Sequence, residues 1–220
     1  WDVSNVITMY AMFKSATAAT LTEGTGTSNW NTGKVETMQW MFRDATLANP
    51  DTTNWDVSSV TLMDRLFQNA PAADPDVSSW DVSNVRQMVA MFADSNANPD
   101  VSLWDISSVI NLQEMFSGAT SANPDTSGWN VANVTTMTNI FEDSGISDEN
   151  YSKFLVMAAA TSVQTGINIG TTSAGYYSNA SSSKTILSNL SWTIADSGES
   201  NDFISTWRTT GTVESITIPT

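Results

Sequence analysis

Ser79-Trp80-Asp81-Val82-Ser83-Asn84-Val85-Arg86-Gln87-Met88-Val89-Ala90-Met91-Phe92 is the stretch that decides the fold, because it recurs along the chain. Trp stands at 1, 30, 55, 80, 104 and 129, at intervals of 29, 25, 25, 24 and 25 residues. Five residues after each Trp stands Val6, Val35, Val60, Val85, Val109 or Val134. Eight after stands Met9, Met38, Met63, Met88, Leu112 or Met137, and twelve after stands Phe13, Phe42, Phe67, Phe92, Phe116 or Phe141. Four columns agreeing over six copies define an internal repeat, and such units bury a continuous core only by stacking on one another.

Within a unit, Ser79-Trp80-Asp81-Val82 alternates polar and apolar, the period of a strand. Ser83 then occupies a helix N-cap position, and Val85, Met88 and Phe92 fall at i, i+3 and i+7, one face of a short helix. Asn49-Pro50-Asp51, Asp74-Pro75-Asp76, Asn98-Pro99-Asp100 and Asn123-Pro124-Asp125 mark the return turns, where Pro ends any helix. The first return, Thr20 to Asn29, lacks this signal and is expected to bulge as a surface loop. Val77, Trp80, Val82 and Val85 match the apolar spacing of leucine-rich repeats, with Trp in a Leu place. The expected fold is therefore α/β: a right-handed leucine-rich-repeat solenoid with a parallel β-sheet on its concave face and short helices on its convex face. More specifically, Trp80-Asp81-Val82-Ser83-Asn84-Val85 followed by Met91-Phe92 resembles the BspA-like repeat family of bacterial surface proteins, over residues 1 to 142. Known members are adhesins and surface-anchored proteins, which is what the resemblance implies here. In that family a Phe usually precedes the turn; Ala48, Ala73, Ala97 and Ala122 hold that place in this chain.

Three segments are expected: an array of about six 24–29-residue units over 1–142, a cap of degenerate repeats over 143–198, and a linker or the start of a β domain over 199–220. In the cap, Ser147 caps a helix running to Ala160, Ile167 to Ile169 reads as a strand, Ser183 to Leu190 as a helix, and Trp192 to Ile194 as a strand. The ending Trp192 to Gly198 resembles that of BspA-like arrays. In the last segment, Phe203 to Trp207 and Ile216 to Pro219 read as opening strands.

Eight Lys and Arg against 23 Asp and Glu leave a net charge of −15. Such a surface repels nucleic acid and anionic membranes and attracts divalent cations and basic partners. The chain has no Cys and no His, which removes thiolate chemistry, the common zinc sites and the commonest general base. No nucleophile–base motif, phosphate loop or metalloprotease helix is present, so the expected function is not enzymatic. No apolar run spans a membrane in this segment. The opening in mid-motif at Trp1 suggests a piece of a larger secreted protein, extracellular and at the cell surface.

The residue after each Trp is Asp2, Asn31, Asp56, Asp81, Asp105 or Asn130, expected to project from the concave face. Two readings of this row stand. Its Asp residues form a solvated face that caps nearby backbone or bonds Ser58, Ser83 and Ser107. Alternatively, Asp2, Asp56, Asp81 and Asp105 form a Ca²⁺ ladder completed by water or a second molecule, since Ca²⁺ takes six to eight oxygens. A second row, Asp51, Asp76, Asp100 and Asp125, precedes Ser or Thr by two residues. That spacing suits an Asx turn, with cation binding as the alternative. Asn31, Ser58, Ser83, Ser107 and Asn130 complete the expected concave binding face. The Trp column reads as core, whereas Trp40, Trp207, Tyr176 and Tyr177 are candidates for exposed contact.

The resulting expectation is a non-catalytic adhesin module that mediates cell–surface or cell–cell attachment, binding a protein partner or itself as a Ca²⁺-bridged homodimer. A module for a surface glycan, using the concave polar groups, and a rigid spacer without a ligand remain the alternatives.

Overall fold

A computed structural model describes residues 1–19, 21 and 26–200. Residues 20 and 22–25 of the expected Thr20–Asn29 loop, and the tail from 201 with Trp207, lie outside the described residues.

The columns of the repeat are the core. Phe42, Phe67, Phe92, Phe116 and Phe141 are buried, and with Phe13 they form a file of near-parallel rings 5.4 to 6.0 Å apart. Trp30, Trp55 and Trp80 stack at 5.8 and 6.3 Å. The indole N–H of Trp55 donates to Thr27 O at 2.9 Å, that of Trp104 to Val77 O at 3.0 Å, and that of Trp129 to Val101 O at 3.0 Å. A buried Trp needs such an acceptor for its one polar atom. The preceding unit supplies it, so Trp55, Trp104 and Trp129 each fasten one unit to another.

The leucine-rich-repeat solenoid expected from the sequence is not what the chain forms. Among the described residues there are two α-helices and one two-stranded parallel sheet, all beyond residue 147, and neither a concave sheet nor convex helices. The stretch 85–95 shows why. Met91 N–H donates to Met88 O at 3.3 Å and Ser95 N–H to Phe92 O at 3.2 Å, closing reverse turns. The N–H groups that alternate with these leave the unit: Met88 donates to Asn111 O at 3.1 Å, Ala90 to Gln113 O at 2.8 Å and Phe92 to Met115 O at 3.0 Å. A helix would have satisfied these donors within the segment. Here they join successive units instead, alongside the isolated parallel bridges Thr8–Thr37, Thr37–Leu62, Leu62–Gln87, Gln87–Asn111 and Asn111–Thr136.

The third residue of each such turn takes positive φ: Ala90 at 50°, Asp94 at 54°, and likewise Trp40 at 61° and Arg65 at 54°. That conformation costs an L-residue roughly 1–2 kcal/mol, offset by the inter-unit bonds it aims. The inward residues Val85, Met88, Met91 and Phe92 are buried all the same, so the apolar spacing was real while the helix inferred from it was not. The Trp-Asp-Val stretch is likewise a turn rather than a strand, with Val85 N–H donating to Val82 O at 2.9 Å.

Regular structure begins at the cap. α1 spans Asp148–Thr161, and Ser147 Oγ accepts from Asn150 N–H at 3.3 Å as its N-cap. Its Tyr151 and Phe154 meet Phe141 edge-on, Phe154 at 5.1 Å and 85°, which ends the file of parallel rings. β1 (Asn168–Thr171) pairs in parallel with β2 (Thr193–Ala195), and α2 (Ser181–Asn189) packs on α1. Each lies within about two residues of where local pattern put it.

Candidate binding face

Both Asp rows are built from one five-residue motif, used twice in tandem in the four units that open at Asp51, Asp76, Asp100 and Asp125. Asp76-Val77-Ser78-Ser79-Trp80 is followed at once by Asp81-Val82-Ser83-Asn84-Val85. In the first copy Asp76 Oδ1 accepts from Ser78 N–H at 3.1 Å and Ser78 Oγ–H at 2.7 Å, while Trp80 N–H closes the turn on Val77 O. In the second, Asp81 Oδ1 accepts from Ser83 N–H at 3.1 Å and Ser83 Oγ–H at 2.6 Å, while Val85 N–H closes on Val82 O. These are Asx turns, in which a short carboxylate takes up a backbone donor two residues on.

The same bond recurs along both rows. Asp2 accepts from Ser4 N–H, Asp56 from Ser58, Asp105 from Ser107 and Asn130 from Ala132, each at 3.0 Å. Asn31 takes Gly33 N–H at 3.4 Å. In the other row Asp51 takes Thr53, Asp100 takes Ser102 and Asp125 takes Ser127, at 3.0 to 3.2 Å. These bonds hold the carboxyls of Asp2, Asp56, Asp76, Asp105 and Asp125 below the usual aspartate range, the Ser side chain contributing most and its backbone N–H next.

Ser83 is thus the partner of Asp81 and not a helix N-cap. The concave sheet that Asn31, Ser58, Ser83, Ser107 and Asn130 were expected to line is missing, and the hydroxyls of Ser58 and Ser83 are already given to Asp56 and Asp81. The turn bonds use Oδ1 and leave the second carboxylate oxygen out of them, on exposed residues in the row of Asp2, Asp56, Asp81 and Asp105. A side chain at Gly33 would meet Asp56 Oδ2, 2.9 Å from the position of its Cβ, so Gly33 leaves that oxygen its room.

Asp51, Asp74 and Asp76 line a shallow hollow of about 120 Å³, yet among the described residues no three acidic side chains group so as to hold a metal. Asp125 is taken by Lys153 of α1 at 3.0 Å, and Lys153 also meets Glu149 at 3.1 Å. A groove of about 500 Å³ lies beside this pair, walled by Trp129, Val156 and Met157.

Of the aromatic candidates, Tyr176 is half-buried with the Lys184 ammonium 4.5 Å from its ring. Trp40 is also half-buried, and it is ringed by Lys14, Arg43 and Arg65 at 4.6, 5.2 and 6.0 Å. Sequence reasoning missed this cluster. Lys14, the pair Trp40 and Arg43, and Arg65 come from three successive units, and only stacking brings them together.

The geometry defines a class: a repeat protein whose turn-built units are joined by bridges and ring stacking and present rows of capped carboxylates. The chain belongs to the family described as "Mycoplasma protein of unknown function, DUF285", whose model matches residues 1–99 and again 74–169, a span covering all six Trp units and α1. This is a bacterial repeat family. No curated protein and no solved structure matches the chain. No helix among the described residues is long and apolar enough to cross a membrane.

Proposed function

We propose that the chain is a non-catalytic binding module of a bacterial surface protein, and that it mediates attachment by self-association through its Asp rows with Ca²⁺ between copies. The observation that carries the reading is the rows themselves. Asp56, Asp81 and Asp105 each spend Oδ1 on their own turn and stand exposed in successive units. Two bodies of net charge −15 repel at such faces unless cations lie between them. Carboxylates from two copies, with water, supply six to eight oxygens. Membership in a bacterial repeat family, and the likeness of the Trp-Asp-Val-Ser repeat to BspA-like adhesins, support a place at the cell surface.

Beads coated with the chain test the reading, compared with beads coated with the triple variant Asp56→Asn, Asp81→Asn, Asp105→Asn. Asn keeps the turn acceptor and removes the charge. Clustering in millimolar Ca²⁺, lost in chelator and lost in the triple variant, is the expected result. Beads that stay single in every condition refute it.

A further inference from the structure

The described residues hold seven of the chain's eight cations, and three of the seven gather around one indole on an otherwise acidic molecule. Trp40 and Arg65 occupy the same position in successive units, each on a turn with positive φ. Lys14 and Arg43 likewise occupy equivalent positions three residues further along their own units. Later units fill these two positions with Ala90 and Ala93, then Glu114 and Ser117, then Asn139 and Glu142. The basic character is therefore confined to one end of this face.

The exposed Tyr10 ring lies 5.4 Å from that of Trp40, so two aromatic rings adjoin the cations. The donors are largely unspent. Among the described residues the Trp40 indole N–H, the Lys14 ammonium and the Arg65 guanidinium make no hydrogen bond. Arg43 Nε is buried and 3.4 Å from Asp44 Oδ2, without forming a hydrogen bond to it. Of the nearby carboxylates, Asp44 pairs with Arg43 through Oδ2 and accepts from Asn69 Nδ2 at 2.9 Å, while Asp64, 6 % exposed, accepts from Gln39 Nε2 at 2.6 Å and Val89 N–H at 2.9 Å.

We propose that Trp40, Tyr10, Lys14, Arg43 and Arg65 form a site for a single acidic sugar residue, its ring lying against the aromatic rings and its carboxylate held by the guanidinium groups. Guanidinium forks match carboxylate geometry, and Arg and Lys over an indole are exchangeable contacts that a carboxylate can recruit. Rigid aromatic rings give contact area at little cost in side-chain order. A long polyanion would also meet the surrounding acidic surface, so a short acidic glycan fits better. This site is separate from the Asp rows and does not depend on their role.

Ala11 and Ala90 occupy the Trp40 and Arg65 position in other units, so Trp40→Ala and Arg65→Ala keep a side chain the turn already accepts. Binding of 3′-sialyllactose, lactose and a hexaglutamate peptide is measured by saturation-transfer NMR and calorimetry on the chain, both variants and Asp56→Asn. Thermal melting checks that each remains folded. The expected result is sialyllactose bound at least tenfold more tightly than lactose or the peptide, with a tenfold or greater loss in Trp40→Ala and in Arg65→Ala and none in Asp56→Asn. Equal binding of lactose, equal or tighter binding of the peptide, no sialyllactose binding, or full binding by a folded Trp40→Ala would each overturn the site. The Asp56→Asn arm separates its failure from failure of the Ca²⁺ reading.

Discussion

Replacing Asp56 by Ala and by Asn separates the structural use of the Asp row from its charge. Asp56 Oδ1 accepts from Ser58 N–H at 3.0 Å and from Ser58 Oγ–H at 2.6 Å. Removing both bonds at an exposed carboxylate should cost about 1.5–2 kcal/mol, in the range measured for lost caps of the same geometry. Asn retains an acceptor oxygen and loses only charge, so its cost should stay near ~0.5 kcal/mol. The chain already tolerates Asn in this row, since Asn130 Oδ1 takes Ala132 N–H at 3.0 Å. With a urea dependence of about 2.5 kcal/mol per molar, the midpoint should fall by about 0.7 M in Asp56→Ala and about 0.2 M in Asp56→Asn. Urea titration followed by Trp fluorescence at pH 7 in chelator reads both. If Asn costs as much as Ala, the charge rather than the acceptor holds the turn, and the Asx account of the rows is wrong.

Phe92 is wholly buried between Phe67 and Phe116, each 5.8 Å away, so Phe92→Ala should cost about 4 kcal/mol, and Phe13→Ala, partly exposed near the stack end, about half that; equal losses in thermal melts would contradict the stacked-file account. Hydrogen bonds from Ser side chains and backbone lower the carboxyl pKa of Asp56, Asp76 and Asp105 on folding. The stability they add is therefore fully present above the unfolded value of about 4 and lost as pH falls through the lower folded values. Urea midpoints should drop below about pH 4, and the Asp56→Asn, Asp76→Asn double variant should drop less steeply; an identical slope argues against the linkage.

The cap was legible because its signals are local. Ser147 followed by Asp148 and Glu149 caps a helix through neighbours in sequence, and α1 starts there. The array was legible in its inward columns, because the spacing of Trp80, Val85, Met88 and Phe92 records which side chains avoid water whatever the backbone does. It misled about the backbone, because one apolar residue every three or four positions suits a helix and a run of reverse turns alike. For both Asp rows the sequence left a turn-capping role and a cation role open; Asp76 and Asp81 begin the same five-residue motif, and their shared hydrogen bond with a Ser two residues on gives both rows one structural task.

By itself, then, the order of residues determined that this chain is a repeat, that Trp, Val, Met and Phe are its core and Asp its surface, and that a capped helix follows the last unit. Only the tertiary structure decided that the units are made of turns. The N–H of Ala90 has two possible acceptors, one within its own segment and one on Gln113 in the next unit, and local sequence carries no preference between them. Stacking supplies the second acceptor along the whole file of units, and the same stacking assembles Lys14, Trp40, Arg43 and Arg65 from three different units.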